Sequence, residues 1–153
     1  MRGFTLLELI ISIGLLVIIG SIVVLNLAGF RSQRELELAT ENLVAYLRDA
    51  QSRAISQQAS SKWGVHFDAA VNDNDSYSIF SGNDYATGSV QNKIFLPLSL
   101  KFSDPAEGTT KDIIFSKVSG ATSPAVVKLA LSGNESSFFT ININANGVID
   151  YAK

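Results

Sequence analysis

The chain has 153 residues, 46% of them hydrophobic, and twelve Lys plus Arg against fourteen Asp plus Glu give a formal net charge of -2. That is one domain's worth of sequence with enough apolar material for a core, plus room for an appendage. The balance excludes a basic nucleic-acid footprint: from residue 60 onward seven Lys and no Arg stand against nine Asp plus Glu. Zero cysteines exclude a disulfide framework and a thiolate metal site, though not an oxidising compartment.

The first element is apolar throughout. No charged side chain occurs between Leu9 and Phe30, and roughly 20 such residues at about 1.5 Å rise cover a hydrocarbon core of roughly 30 Å. A transmembrane helix is therefore expected. Only Met1, Arg2 and Gly3 could precede it, whereas an ordinary secretory signal has a basic n-region, a shorter apolar region and a small-residue cleavage site. Arg2 on one side and Arg31 with Arg34 on the other leave the positive-inside count ambiguous.

Past Phe30 the pattern becomes amphipathic. Leu36, Ala39, Leu43, Leu47, Ala50 and Ala54 recur three or four residues apart, a helical stripe, with Arg34, Glu35, Glu37, Glu41, Arg48, Asp49, Ser52 and Arg53 on the opposite face. No Pro and no loop signal interrupts Phe4 to Gln58. The pattern predicts one long helix, on the order of 80 Å, weakened if anywhere at Gly14, Gly20 and the Asn26 to Gly29 stretch. Neither a membrane nor a small domain needs that length, so half of it must pack against something else.

After the Ser56 to Lys62 break, short β-like runs follow: Trp63 to Phe67, Tyr77 to Phe80, Ile94 to Phe102, Ile113 to Phe115, Val126 to Leu131 and Phe138 to Ile143. The polar Val71 to Ser76 stretch joins the first two, and Asn144-Ala145-Asn146-Gly147 turns the chain into a last short strand, Val148 to Tyr151. The expectation is a hairpin-rich antiparallel sheet whose apolar face is covered by the Leu36 to Ala54 stripe, an α+β head. Trp63, Phe67, Phe80, Phe95, Phe102, Phe115, Phe138 and Phe139 are expected in its core.

Glu8 interrupts the apolar opening of the chain. A carboxylate within an apolar membrane helix is costly and implies a function with a partner; the plainer alternative is an acid at headgroup depth that suits the helix dipole. The surrounding run, Gly3-Phe4-Thr5-Leu6-Leu7-Glu8-Leu9, resembles the class III signal of type IV pilins and type II secretion pseudopilins: a Gly, a Phe, a short apolar run and a Glu opening a hydrophobic helix. The resemblance implies that a prepilin peptidase cuts between Gly3 and Phe4 on the cytoplasmic side and methylates the new amine, making Phe4 an N-methylphenylalanine. Residues 1–3 are then a leader, 4–30 a transmembrane and polymerisation helix, and 31–153 a periplasmic pilin-like head. The protein would sit in the bacterial inner membrane as a single-pass subunit with a cytoplasmic N-terminus until it enters a filament.

By the same resemblance the partner of Glu8 is the Phe4 amine of a neighbouring subunit, a pair shielded from water that sets register more than it adds net stability. Other pilins or pseudopilins, the prepilin peptidase and an inner-membrane assembly platform are the implied partners. Leu25 stands where major pilins commonly have a kinking Pro, and no cysteine pair staples a C-terminal loop; both omissions imply a minor component. Leu47 to Ile55, Trp63-Gly64-Val65-His66-Phe67 and Thr140 to Asn144 with Gly147-Val148 look like the H-type pseudopilin group and its related minor pilins. The function implied is a structural, non-enzymatic minor subunit of a type II secretion pseudopilus, with no cofactor. A minor pilin of a type IV pilus, serving assembly priming, adhesion or DNA uptake, is the alternative. A membrane-tethered binding or enzymatic domain is the rival outside the family.

The remaining constellations are weak. His66 is the only histidine and, on an alternating strand, reads as structural or surface. No nucleophile elbow accompanies it. Asp73 and Asp75 suggest a calcium loop, but the Gly and distal Glu of EF-hand spacing are missing, so a polar hairpin turn is the reading. Gly14 and Gly20 are not at GxxxG spacing.

Overall fold

The computed structural model describes residues 4–153, apart from the side chains of residues 21–28. Helix α1 (Leu6–Ile55) carries both the apolar run and the amphipathic stripe without a break. It is slightly shorter than expected at each end. Thr5 lies outside it as a cap, and beyond Ile55 the chain leaves helical geometry, with Gln57, Ala59 and Ser60 all at positive φ. The chain forms two compact units, one up to Arg34 and the other Glu35–Lys153.

In the second unit the stripe works as the sequence suggests. Leu36, Leu43, Leu47, Ala50 and Ala54 have no exposed surface, and Ala39 packs at the edge of the same core. Thr40 and Val44 join them. Thr40 has no place in an apolar pattern, but its hydroxyl donates to the Leu36 carbonyl at 2.8 Å, which removes the cost of burying it. Tyr46 on the flank meets Tyr77 edge-on at 5.5 Å.

Eight strands follow: β1 (Trp63–Asp68), β2 (Ser76–Ser81), β3 (Ser89–Phe95), β4 (Leu100–Asp104), β5 (Thr110–Phe115), β6 (Ala125–Leu131), β7 (Asn134–Ile143) and β8 (Ile149–Ala152). They form two four-stranded antiparallel sheets, ordered β3-β2-β1-β5 and β4-β6-β7-β8, rather than one. The split falls inside the Ile94 to Phe102 run, which is not a single strand. Pro97 has no N–H to give a ladder, and Leu100 N–H turns back to the Pro97 carbonyl at 2.9 Å. β3 therefore ends the first sheet and β4 begins the second.

Both sheets feed one core with the helix. Trp63, Val65 and Phe67 of β1 and Ile113 and Phe115 of β5 meet Val127, Leu129, Ile141 and Ile143 from the second sheet. Two of the aromatics expected inside are outside: Phe95 on edge strand β3 is 55% exposed and Phe138 is 38% exposed. Phe80 is fully buried, but beneath a loop on the face of its sheet away from the helix, where it lies against Gly64.

The Asn72 to Ser76 segment is a turn with a structural task. Asp75 accepts the Ala70 N–H on one carboxylate oxygen (2.9 Å) and the Phe102 N–H on the other (2.5 Å), bridging the two sheets. Burial pushes its carboxyl above the usual range, opposed by those two N–H donors and reinforced by the nearby Asp68 and Glu107 charges. Lys111 of β5 makes a second bridge, bonded to Asp104 and to the Val126 carbonyl at 2.8 Å.

Candidate assembly helix

The first unit uses its sequence differently. From Leu6 to Ile19 the large apolar side chains lie on every side of the helix, and none is less than 52% exposed. A side chain placed at Gly14 or Gly20 would meet nothing within 4 Å. Such a surface is stable only against lipid or other helices. Among the described residues no helix is long and apolar enough to cross a membrane; the described side chains of the apolar run stop at Gly20 and resume at Gly29.

The start of the helix is built by Thr5. Its Oγ1 accepts the Glu8 N–H at 3.3 Å, and its carbonyl accepts the Leu9 N–H at 3.2 Å. Thr5 is thus the N-cap, a role that apolar patterning does not mark. The signal was present: Thr5-Leu6-Leu7-Glu8 is the Thr-x-x-Glu spacing of a capping box. Cap and acid together fix where the helix begins, with Phe4 projecting beyond it 72% exposed. Glu8 lies exposed in the first turn, where a carboxylate also complements the helix dipole. Ser12 Oγ bonds back to the Glu8 carbonyl at 2.7 Å.

Of the other residues singled out in the sequence, Gly3 lies outside the described residues, as does the side chain of Leu25. Asp73 and Asp75 are not assembled as ligands. Asp75 spends both oxygens on backbone N–H groups, and Asp73 accepts the neighbouring Asn74 N–H at 2.7 Å. Among the described residues no group of three or more His, Cys, Asp or Glu side chains is placed to hold a metal. His66 is bonded to Asp112 rather than standing alone.

At the far end of α1, three contacts tie two loops of the head and the start of β8 to the helix. Gln51 Nε2 donates to the carbonyls of Gly120 (3.2 Å) and Gly147 (2.8 Å), and Arg48 donates to the Ile149 carbonyl at 3.3 Å. Gly147, at φ +79°, lies so close to Gly120 and Gln51 that a side chain there would collide with both.

No protein-family model and no curated protein matches the chain. Among solved structures it is similar to the type IV minor pilin FimU of Pseudomonas aeruginosa in two crystal forms. One aligns with a TM-score of 0.51 at 24% identity over 77% of this chain and 93% of that one. The other aligns with a TM-score of 0.54 at 24% identity over 81% and 92%. The fold is therefore that of a type IV pilin, a long N-terminal helix packed on antiparallel sheets.

Proposed function

We propose that the chain is a structural, non-enzymatic minor subunit of a pilin-type filament. The observation that carries this reading is the pairing of a self-contained α+β head with a helix whose described large apolar side chains from Leu6 to Ile19 are all more than half exposed. Residues 4–30 sit in the inner membrane with Phe4 toward the cytoplasm and the head outside, after removal of residues 1–3 and methylation of Phe4. On assembly the helix moves from lipid into a bundle of like helices. That exchanges one apolar environment for another, so close packing and the pairing of Glu8 with a neighbour's Phe4 amine supply selectivity, while the machinery supplies the work.

Likeness to a type IV minor pilin supports a minor subunit of a type IV pilus. A second reading, the pseudopilus of type II secretion, is supported by the resemblance of Leu47 to Ile55 and the strand segments to the H-type group. Deleting the gene and scoring pilus assembly against protein export separates the two machines. Mass spectrometry of the membrane-extracted protein should find a chain beginning at methylated Phe4; a retained Met1 in cells with active prepilin peptidase overturns the reading. Glu8→Leu should insert, be cleaved and fold its head normally yet enter filaments poorly, with Glu8→Asp intermediate because the shorter side chain reaches the amine less well. Wild-type assembly of Glu8→Leu would reduce Glu8 to a helix-start acid.

A further inference from the structure

Within the Glu35–Lys153 unit a different set of loops gathers at each end of the α1 segment. At the first end, Ser99 Oγ donates to Glu35 Oε2 at 2.9 Å, and the Ser132 N–H donates to the Ser99 carbonyl at 2.8 Å. The 70–75 loop joins them, since the Leu96 N–H bonds to the Asp75 carbonyl at 2.7 Å. Together these loops open a cleft of about 740 Å³ lined by Asp73, Leu98, Glu107 and Glu135 among others. Leu98, at 81%, is the most exposed large apolar side chain among the described residues, and Val71 on the neighbouring loop is 57% exposed.

The other end carries a second apolar patch. The Val118 N–H donates to the Ala54 carbonyl at 3.3 Å, and a side chain on Gly120 would meet Ile55 at 2.8 Å. Val118 is a β-branched residue at φ +68°, in a tight turn closed by the Ser119 N–H on the Lys117 carbonyl at 2.7 Å. Gly or Asn would adopt that backbone with less strain. The valine gains little burial in return, being 64% exposed beside Ile55 at 46% and Val148 at 59%. A strained residue that presents its side chain to solvent points to a contact outside the chain.

Charge says what makes that contact. Residues 55–62, 116–122 and 144–148 hold Lys62 and Lys117 and no carboxylate, whereas residues 69–75, 96–99, 104–109 and 132–135 hold five carboxylates and no cation. At the acidic end Glu135 is paired with Lys101, Asp104 with Lys111, and Asp75 is spent on backbone N–H groups. Asp73 and Glu107 are left as exposed carboxylates. At the basic end Lys117 holds only the neutral Ser60 carbonyl, at 3.2 Å.

We propose that the two ends are the halves of one head-to-tail contact: the 116–120 loop of one copy of this chain enters the acidic cleft of a second copy, with Val118 against Leu98 and Lys117 facing Asp73 and Glu107. The inference rests on the filament reading and adds to it an axial contact between heads. The apolar pair supplies burial and the charges supply orientation, because two acidic ends or two basic ends repel. A heterologous contact of this kind does not close on itself, so it propagates along a filament.

The chain has no cysteine, which makes the contact testable by disulfide trapping. Leu98→Cys and Val118→Cys placed in one full-length chain lie near Glu35 and Ala54, 19 residues or about 28 Å apart along α1. That exceeds the reach of a disulfide within one molecule, so any bond formed joins two copies. In cells that carry the assembly machinery, copper-phenanthroline oxidation should give a ladder of linked species in the double variant and monomer in each single variant. Lys117→Glu in the double variant should lower the linked yield by up to about fivefold, and adding Glu107→Lys should restore it. If Lys117→Glu reduces the amount of chain, Lys62→Glu takes its place. An unlinked double variant, equal linking in a single variant, or a reversal that Glu107→Lys does not rescue overturns the contact. A chain processed at Phe4 yet unlinked overturns this contact alone, whereas retained Met1 overturns the filament reading with it.

Discussion

The helix before Arg34 and the head after Glu35 are both rich in Leu, Ile and Val, and they use those residues in opposite ways. Between Leu6 and Ile19 apolar side chains occupy every face, so no rotation of the helix hides them and each remains at least half exposed. From Leu36 to Ala54 the same kinds of residue recur at helical spacing, and the stripe is buried beneath two sheets except at Ala39, which is partly buried at its edge. Apolarity without a period specifies a surrounding medium, whereas apolarity with a period specifies a partner within the chain.

The sharpest way to break this contrast is to separate the regions. A fragment beginning near Arg31 should be soluble and should melt cooperatively without detergent. Aggregation without a transition would show that the head depends on the apolar run for its fold. Within the full chain, Leu47→Ala should destabilise the head by about 2–5 kcal/mol, since Leu47 is fully buried in a packed core. Ile13→Ala should leave thermal unfolding of the head unchanged, since Ile13 is 53% exposed. Comparable losses from the two variants would erase the distinction.

Asp75 sharpens the comparison on the polar side. Asn in its place can accept one of the two backbone N–H bonds but presents its amide to the other, at a cost of about 1–3 kcal/mol. The native carboxyl is raised above its unfolded value, so its contribution is fully present below that value, near pH 3.8, and is lost as pH rises through the folded value. The difference in melting temperature between wild type and Asp75→Asn should accordingly be largest at the acid end and narrow toward neutrality. A gap that widens with rising pH would mean that the two N–H donors outweigh burial.

Ser78 gives the smallest effect and the opposite sign. Its hydroxyl is buried with no hydrogen-bond partner, so Ser78→Ala should stabilise the head by up to about 1 kcal/mol in denaturant unfolding. A loss of similar size would reveal a bond the hydroxyl makes in solution.

Much of this molecule was legible in one dimension because its signals are local and periodic. The apolar run, the stripe from Leu36 to Ala54, most strand positions and the Asn144 to Gly147 turn each follow from a repeat or a turn residue within a few positions. Thr5 was legible too, through the Thr-x-x-Glu spacing. β3 was obscure because Ser89 to Phe95 lies at an edge with both faces mostly exposed and shows no alternation.

Sequence by itself therefore determined the helix, its two kinds of surface, the approximate strand inventory and the Phe4 to Glu8 opening, since each depends on neighbours along the chain. Tertiary structure alone decided the division into two sheets, the use of Asp75 as a bridge to β4 and the outward placing of Phe95 and Phe138. It also set His66 between Asp112 and Tyr85, residues 46 and 19 positions away. Those outcomes depend on strand register and on which sheet edge a residue occupies. Both are fixed by pairing across the fold, so they leave no periodic trace in the chain.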